Sequence, residues 1–301
     1  MTKTLIVGAT GLLGNELLRA SKKYGNEVHA LVRSKTRLNA EKMKTLEAVG
    51  ATIHVGDLDD YDSLLKACKA VDCVISSVNW QSGDERTLIQ AAKDAGVKRF
   101  IPSAFGLDFT VATPGSSLII DNFSAVYSSL LAAGLPYTLI HTGGFFTYWV
   151  ATLGDMTKLG SPLPPEEVNL YGDGKVKGSF VSESDVATVT VRALNDPKME
   201  NQAIHIGANT ITQNEMIEMW EKMSGRSVRK ISVMSDDIEN IIASSVSQDQ
   251  KVILSVAQLK RSYWIRGESV KHSTRSKAAE ELYPDLPFQT VQEGLTRLLH
   301  H

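Results

Sequence analysis

A strand–helix alternation runs without interruption from Thr4 to Pro102, and it limits the fold more than any other feature of the sequence. Short β-rich runs occur at Thr4–Val7, Glu27–Val32, Thr52–Val55, Cys73–Ser76 and Arg99–Pro102. Segments of helical spacing lie between them, at Gly11–Lys23, Arg37–Val49, Asp60–Lys69 and Glu85–Ala95. In the first of these, Leu12, Leu13, Leu17 and Leu18 gather on one side. Strands joined through helices form crossover units, and crossover units build a parallel sheet covered on both faces. The expected fold class is α/β, a doubly wound parallel sheet. A helix at Ser124–Ala133 and a strand at Tyr137–His141 extend it.

After Gly143 the alternation loosens. GSPLPP, Gly160–Pro165, reads as a loop, and helices are expected at Ser182–Leu194 and Gln213–Ser224. Ser182 with Asp185, and Thr212 with Glu215, nearly match the spacing of a capping box. We expect residues 1–143 to form the main sheet domain. Residues 144–301 should form a smaller, discontinuous region, with segments that return to the first.

The first strand opens into VGATGLLG, Val7–Gly14. In this G-x-x-G-x-x-G turn, Gly8 permits a tight bend, Gly11 a close approach of phosphate to backbone, and Gly14 close helix–strand packing. Thr10, Leu12 and Leu13 complete the loop, and the free N–H groups of the helix start suit a pyrophosphate. The end of the second strand selects the cofactor. A carboxylate there would hold the ribose hydroxyls of NAD. The chain instead reads LVRSKTR, so that Arg33, Ser34 and Lys35 offer charge and hydroxyl to the extra phosphate of NADP(H). Asp57 after strand three reads equally as an adenine-side contact or a helix cap. Ser76, Ser77 and Val78 end strand four, where a dinucleotide crosses the sheet edge.

Composition removes several alternatives. Among 301 residues, 43% are hydrophobic and 22% charged, and the formal charge of −2 gives no general attraction to nucleic acid or an anionic membrane. No apolar run approaches the roughly 20 residues needed to span a bilayer, and no signal peptide is read at the start. Cys68 and Cys73 offer neither a disulfide framework nor a metal-ligand pattern, and no metal is expected; His54, His205 and His272 lack ligand spacing too. The reading is a cytoplasmic protein with a small-molecule partner. A homodimer is compatible with it. The terminal His300 and His301 read equally as native residues or the remnant of a tag.

With these residues in place, the chain resembles the isoflavone reductase-like branch of the atypical short-chain dehydrogenases, within the NmrA-like group. VGDLDDYDSL, VDCVISSV, VKRFIPSAFGLD, GLPYTLIHTGGFF, YGDGKVKGSFVSESDVA, NTITQNEMIEMWEKMSG and AAEELYPDLPFQTVQE follow that family's run from Val55 to Glu293. The resemblance implies a Rossmann-type NADP-binding domain, a carboxyl-terminal substrate region and a cleft between them. It implies hydride delivery to a small aromatic or polycyclic metabolite. Other NmrA-like members bind the dinucleotide as regulators. The resemblance sets Phe105 near the nicotinamide, and Ser103 is counted with the cofactor-binding residues. Two positions depart from the family. Ala104 stands where Glu commonly precedes the Phe-Gly pair. The reductases' lysine falls near Phe123, and no lysine occurs between Lys98 and Lys158.

Reduction of a carbonyl or conjugated alkene needs a proton donor or a group that stabilises the developing oxyanion. Asp121, Tyr127, His141 and Tyr148 are the candidates near the expected cleft. Tyr171 and Lys175 match Tyr-x-x-x-Lys literally, but in a glycine turn rather than on a helix. Gly143, Phe145, Phe146 and Tyr148 are the substrate-side candidates with Phe105, and their aromatic cluster would suit an aromatic ligand. The sequence supports an NADPH-dependent reductase first. A non-catalytic redox sensor and a non-redox isomerase or cyclase are the alternatives. No hydrolase motif is present.

Overall fold

The computed structural model describes every residue except 82, 83, 246, 300 and 301, and the side chain of 248; the His300–His301 pair therefore lies outside it. In chain order the first part contains β1 (Lys3–Val7), α1 (Leu12–Lys23), β2 (Glu27–Val32), α2 (Ser34–Arg37), α3 (Ala40–Ala48), β3 (Thr52–Val55), α4 (Tyr61–Cys68), β4 (Cys73–Ser76), α5 (Arg86–Asp94), β5 (Arg99–Ile101), α6 (Leu118–Ala133) and β6 (Thr138–His141). The second contains β7 (Gly144–Phe145), α7 (Phe146–Trp149), β8 (Glu167–Tyr171), β9 (Lys177–Val181), α8 (Glu183–Asn195), β10 (Gln202–His205), β11 (Asn209–Thr212), α9 (Gln213–Ser224), β12 (Arg229–Val233), α10 (Ser235–Ser244), α11 (Lys251–Lys260), β13 (Ser276–Ala278), α12 (Ala279–Leu282) and α13 (Val291–Leu298).

The parallel sheet has the order β3-β2-β1-β4-β5. Reversal of strand order beside β1 opens a crevice at the carboxyl ends of β1 and β4. The central strands β1, β2 and β4 are buried on both faces and alternate between two cores, while edge strand β3 stays partly exposed. Leu5 and Val7 of β1 point to one side with α4, α5 and α6, while Ile6 points to the other with α1 and α8. β6 continues the sheet beyond β5 through a parallel Phe100–Tyr137 bridge and a Phe100 N–H bond to the Pro136 carbonyl of 2.8 Å. β10 pairs parallel with β6, and β13 with β10. α8 packs on α1. Thus pieces of the chain well beyond Gly143 complete the first layer. The remaining elements enclose a separate core around Trp149, Phe180, Trp220 and Trp264.

Two expected elements differ. The helix expected over Arg37–Val49 is broken, because Asn39 accepts the Lys42 N–H at 3.0 Å and starts a new helix. The helix expected from Ser124 begins at Leu118, capped by Ser117. The caps at Ser182 and Thr212 form as read, and Thr212 with Glu215 makes a full capping box. Cys68 and Cys73 are buried free thiols, pushed up by burial to about 12 and about 11.

Candidate functional site

A single cleft of about 660 Å³ runs along the carboxyl edge of the sheet and into the second core. That volume is ample for a small-molecule site. Its first end is the glycine turn. Gly8 has φ +82°, and a Cβ there would stand 2.6 Å from the Ser77 carbonyl oxygen. Gly14 lies outside the cleft wall, and a Cβ on it would stand 2.1 Å from the Gly8 carbonyl oxygen. The two glycines therefore let α1 start directly against β1 and β4. No side chain caps α1, so its amino end keeps N–H groups for an anion. Thr10, Gly11, Leu12 and Leu13 line the cleft there, with Ser77 and Val78 opposite.

Arg33 lines the same cleft as it leaves β2, and the break at Asn39 brings Thr36 and Lys42 beside it. Two cations and a hydroxyl, with no carboxylate at the end of β2, fit the phosphate that distinguishes NADP(H). Asp57 lines this end, and its carboxylate accepts from the Leu58 N–H at 2.8 Å. The cap of α4 is Asp60 instead. Ser34 and Lys35 fall outside the lining, because the turn of α2 presents Thr36 in their stead. Ser76 is fully enclosed within the sheet and is also outside it.

Farther along, Ser103, Phe105, Gly143, Phe145 and Tyr148 line the cleft. The Ser103 hydroxyl donates to the Val78 carbonyl at 2.7 Å, and its N–H donates to Glu85 at 3.2 Å. Burial pushes the Glu85 carboxyl up to about 7. These bonds tie the ends of β4 and β5 together behind the site. Phe146 does not reach the cleft. It points into the second core, where a Cβ on Gly294 would touch its ring.

The four proton-donor candidates separate clearly. Tyr148 lines the cleft, 38% exposed, stacked on Phe145 at 6.2 Å. Burial, with Glu183 nearby, raises its phenol above the ordinary value. Tyr127 lies outside the lining, its hydroxyl bonded to that of Tyr137 at 2.9 Å. Asp121 also lies outside and accepts the Gly115 N–H at 2.9 Å. His141 is wholly buried behind the cleft, 3.5 Å from Asp108 and edge-on to Phe109. Burial drives its imidazole down to about 4, against the pull of Asp108. It is uncharged at neutral pH, so the contact is no salt bridge. Tyr171 and Lys175 do not act together: the Tyr171 hydroxyl donates to buried Asp155 at 2.7 Å, and Lys175 pairs with Asp173.

Sequence reading missed much of the wall. Asn79 and Trp80 follow β4 in a segment read only as a connection. Ile119, Ile120, Phe123, Met156, Leu259 and Tyr263 come from separate parts of the chain, and nothing in their local spacing joins them. The signal for Lys42 was present in Asn39, a residue that starts helices.

Fold and cleft together define a Rossmann-type protein built to bind NADP(H) beside an apolar chamber. The profile of the NmrA-like family matches residues 1–295. Phenylcoumaran benzylic ether reductase TP7 of Nicotiana tabacum is 36% identical over 308 residues, covering 98% of this chain and 97% of its own. A solved isoflavone reductase superposes with a TM-score of 0.85 at 34% identity, over 98% of this chain and 99% of that one. AtPrR2, solved with NADP+ and (+)-pinoresinol, gives a TM-score of 0.86 at 30% identity, over 99% and 98%. The chain belongs to the NmrA-like family, in its isoflavone reductase-like branch, and is an NADP-dependent oxidoreductase. No described helix is long and apolar enough to cross a membrane.

Proposed function

We propose that this protein reduces a small, uncharged aromatic or polycyclic metabolite with NADPH, and does so without a lysine at the reacting end of the cleft. One observation carries the reading. The cofactor cradle continues into an aromatic chamber, and among the described lining residues the charged side chains are Arg33, Lys42 and Asp57, all at the opposite end. A charged substrate would lose its hydration there with nothing to replace it. Phe123, near the position of the family's lysine, lines the chamber with its ring. The buried thiols support a reducing, cytoplasmic setting.

When bound, NADPH supplies a hydride; one proton completes the reduction. The residues here bind and orient. Arg33, Thr36 and Lys42 hold the adenosine phosphate, the start of α1 holds the pyrophosphate, and Ser103 fixes the β4–β5 edge behind the reacting end. Phe105, Phe145 and Trp149 exclude water and offer flat apolar surface to a ring. Tyr148 is the sequence-derived donor candidate that borders the cleft, and its raised phenol stays protonated at neutral pH.

The test is NADPH oxidation in the presence of quinones, enones, imines and phenolics, with product identification. Turnover of an uncharged aromatic acceptor is the expected result. Tight NADPH binding with no turnover across the panel would overturn it in favour of a redox sensor, the reading that Phe123 in place of lysine also supports. Product formation without nicotinamide oxidation would favour an isomerase or cyclase.

A further inference from the structure

The helix changes pitch directly after α11. Arg261–Ile265 forms a π-turn, closed by the Arg266 N–H donating to the Arg261 carbonyl at 2.9 Å. A π-turn accommodates an extra residue and re-aims the side chains around it, and such turns recur at functional sites. This one is held on both flanks. Arg261 donates to Glu239 at 2.8 Å and to the Ser116 carbonyl. The Trp264 indole donates to the Gly154 carbonyl at 2.8 Å.

Tyr263 lies between these anchors. Its ring stacks on Trp149 at 4.0 Å and on Phe180 at 6.0 Å, and the residue is 2% exposed. It borders the chamber end of the cleft. Its hydroxyl has no hydrogen-bond partner among the described residues, yet it is not one of the fully enclosed unpartnered atoms. The ring is sealed by its aromatic neighbours, and the residue borders the cleft with its hydroxyl unpartnered among the described residues. Buried Tyr171 and half-buried Tyr127 satisfy theirs within the protein, and Tyr283, whose buried hydroxyl also lacks a partner among the described residues, lies outside the cleft lining.

We infer that Tyr263 donates the hydrogen bond that holds the acceptor oxygen of an uncharged aromatic carbonyl compound in the chamber. The inference rests on the reductase reading and names its substrate class. Burial raises the Tyr263 phenol far above its ordinary value, so it acts as a donor and not as a base. Its natural complement is an oxygen that carries no proton and gains negative charge on reduction. The chamber has no charged group among its described lining residues to serve that oxygen. Tyr148 is more exposed, and a donor in the sealed interior binds more strongly than one shared with water.

The probe is benzylideneacetone, an aromatic enone, paired with its carbonyl-free hydrocarbon counterpart. Each is titrated into the full chain with NADP+ bound, followed by quenching of tryptophan fluorescence. Tyr263→Phe should weaken the ketone about tenfold, the loss of one neutral hydrogen bond. It should leave the hydrocarbon and NADP+ affinities within about twofold. In the wild-type complex the carbonyl stretch of the bound ketone should move to lower frequency than in hexane, a readout independent of how the variant folds. No ketone binding, an unshifted stretch, or equal effects on ketone and hydrocarbon overturns the inference. Turnover is scored separately. Ketone binding through Tyr263 with no NADPH oxidation by any acceptor would overturn the reductase reading and leave Tyr263 as a ligand donor. Where the ketone is reduced, Tyr263→Phe should raise KM about tenfold, in step with the lost ketone affinity, and lower kcat about tenfold besides, because the bond strengthens as the oxygen gains charge.

Discussion

Gly14→Ala tests the packing of the cofactor turn, because two physical effects predict opposite signs for it. Gly14 lies inside α1, where Ala is favoured over Gly by ~1 kcal/mol. On propensity alone the variant should be more stable. The structure predicts the reverse. A Cβ at this position would stand 2.1 Å from the Gly8 carbonyl oxygen and 2.8 Å from the Ala9 backbone, below the 3.0 Å that real Cβ atoms respect. The helix must therefore retreat by about 0.9 Å, and no flexible side chain is available to give way. Leu13, Leu17 and Leu18 resist that shift, since they are buried against the sheet and α8. Overpacking of this kind costs ~1–3 kcal/mol, and a backbone contact belongs at the upper end. The expected net loss is ~2 kcal/mol, or a fall in Tm of ~3 °C for a chain of 301 residues. Retreat of α1 also withdraws its N–H groups from the pyrophosphate, so NADPH affinity should fall more than tenfold. Thermal unfolding by circular dichroism and a fluorescence titration with NADPH measure the two effects. Gly294→Ala is the control: it too is helical, but its Cβ would meet the Phe146 ring, away from the cleft, so NADPH affinity should not change. An unchanged or raised Tm for Gly14→Ala, with unchanged NADPH affinity, would refute the reasoning.

Three further outcomes follow from the same geometry. Arg33→Ala and Lys42→Ala should each weaken NADPH about tenfold and NADH much less, with a loss that shrinks in high salt as charge pairing is screened; equal loss for both nucleotides in isothermal titration would remove that residue from the phosphate site. His141 is held at about 4 in the fold against an ordinary value of 6.5, so the unfolded chain takes up its proton first as pH falls. This group alone should cost ~3 kcal/mol as pH falls through 6.5 toward 4, while Glu85, raised to about 7, changes stability in the opposite sense over much of the same range. The difference in denaturant midpoint between wild type and His141→Gln should therefore shift against wild type as pH falls across that range; an identical pH dependence for the two would refute the assignment. Tyr127→Phe removes a hydroxyl bonded to Tyr137 outside the cleft. Turnover and NADPH affinity should stay within about twofold of wild type, and a larger loss in kcat would return Tyr127 to the reacting end.

The sequence by itself determined the strands and the glycine turn that frame the cofactor end of the cleft, though Thr36 and Lys42 there came only from the structure. Gly8, Gly11 and Gly14 constrain the backbone locally, and Arg33 directly follows β2, so both signals are short stretches of contiguous sequence. Strand–helix alternation likewise carried the parallel sheet, because short continuous apolar runs such as Leu5, Ile6 and Val7, buried on both faces, recur between helical segments. The reacting end was decided by tertiary structure. His141 and Tyr148 looked alike as polar residues near a strand end, yet one is sealed behind the sheet against Asp108 and the other borders the cleft. Local periodicity cannot distinguish them, since the difference lies in which distant segments cover each side chain. Phe123, Trp149 and Tyr263 meet in one chamber although more than a hundred residues separate the first from the last. Only the packing of α6, α7 and the π-turn after α11 brings them together, because an apolar wall is specified by shape and burial and leaves no pattern along the chain.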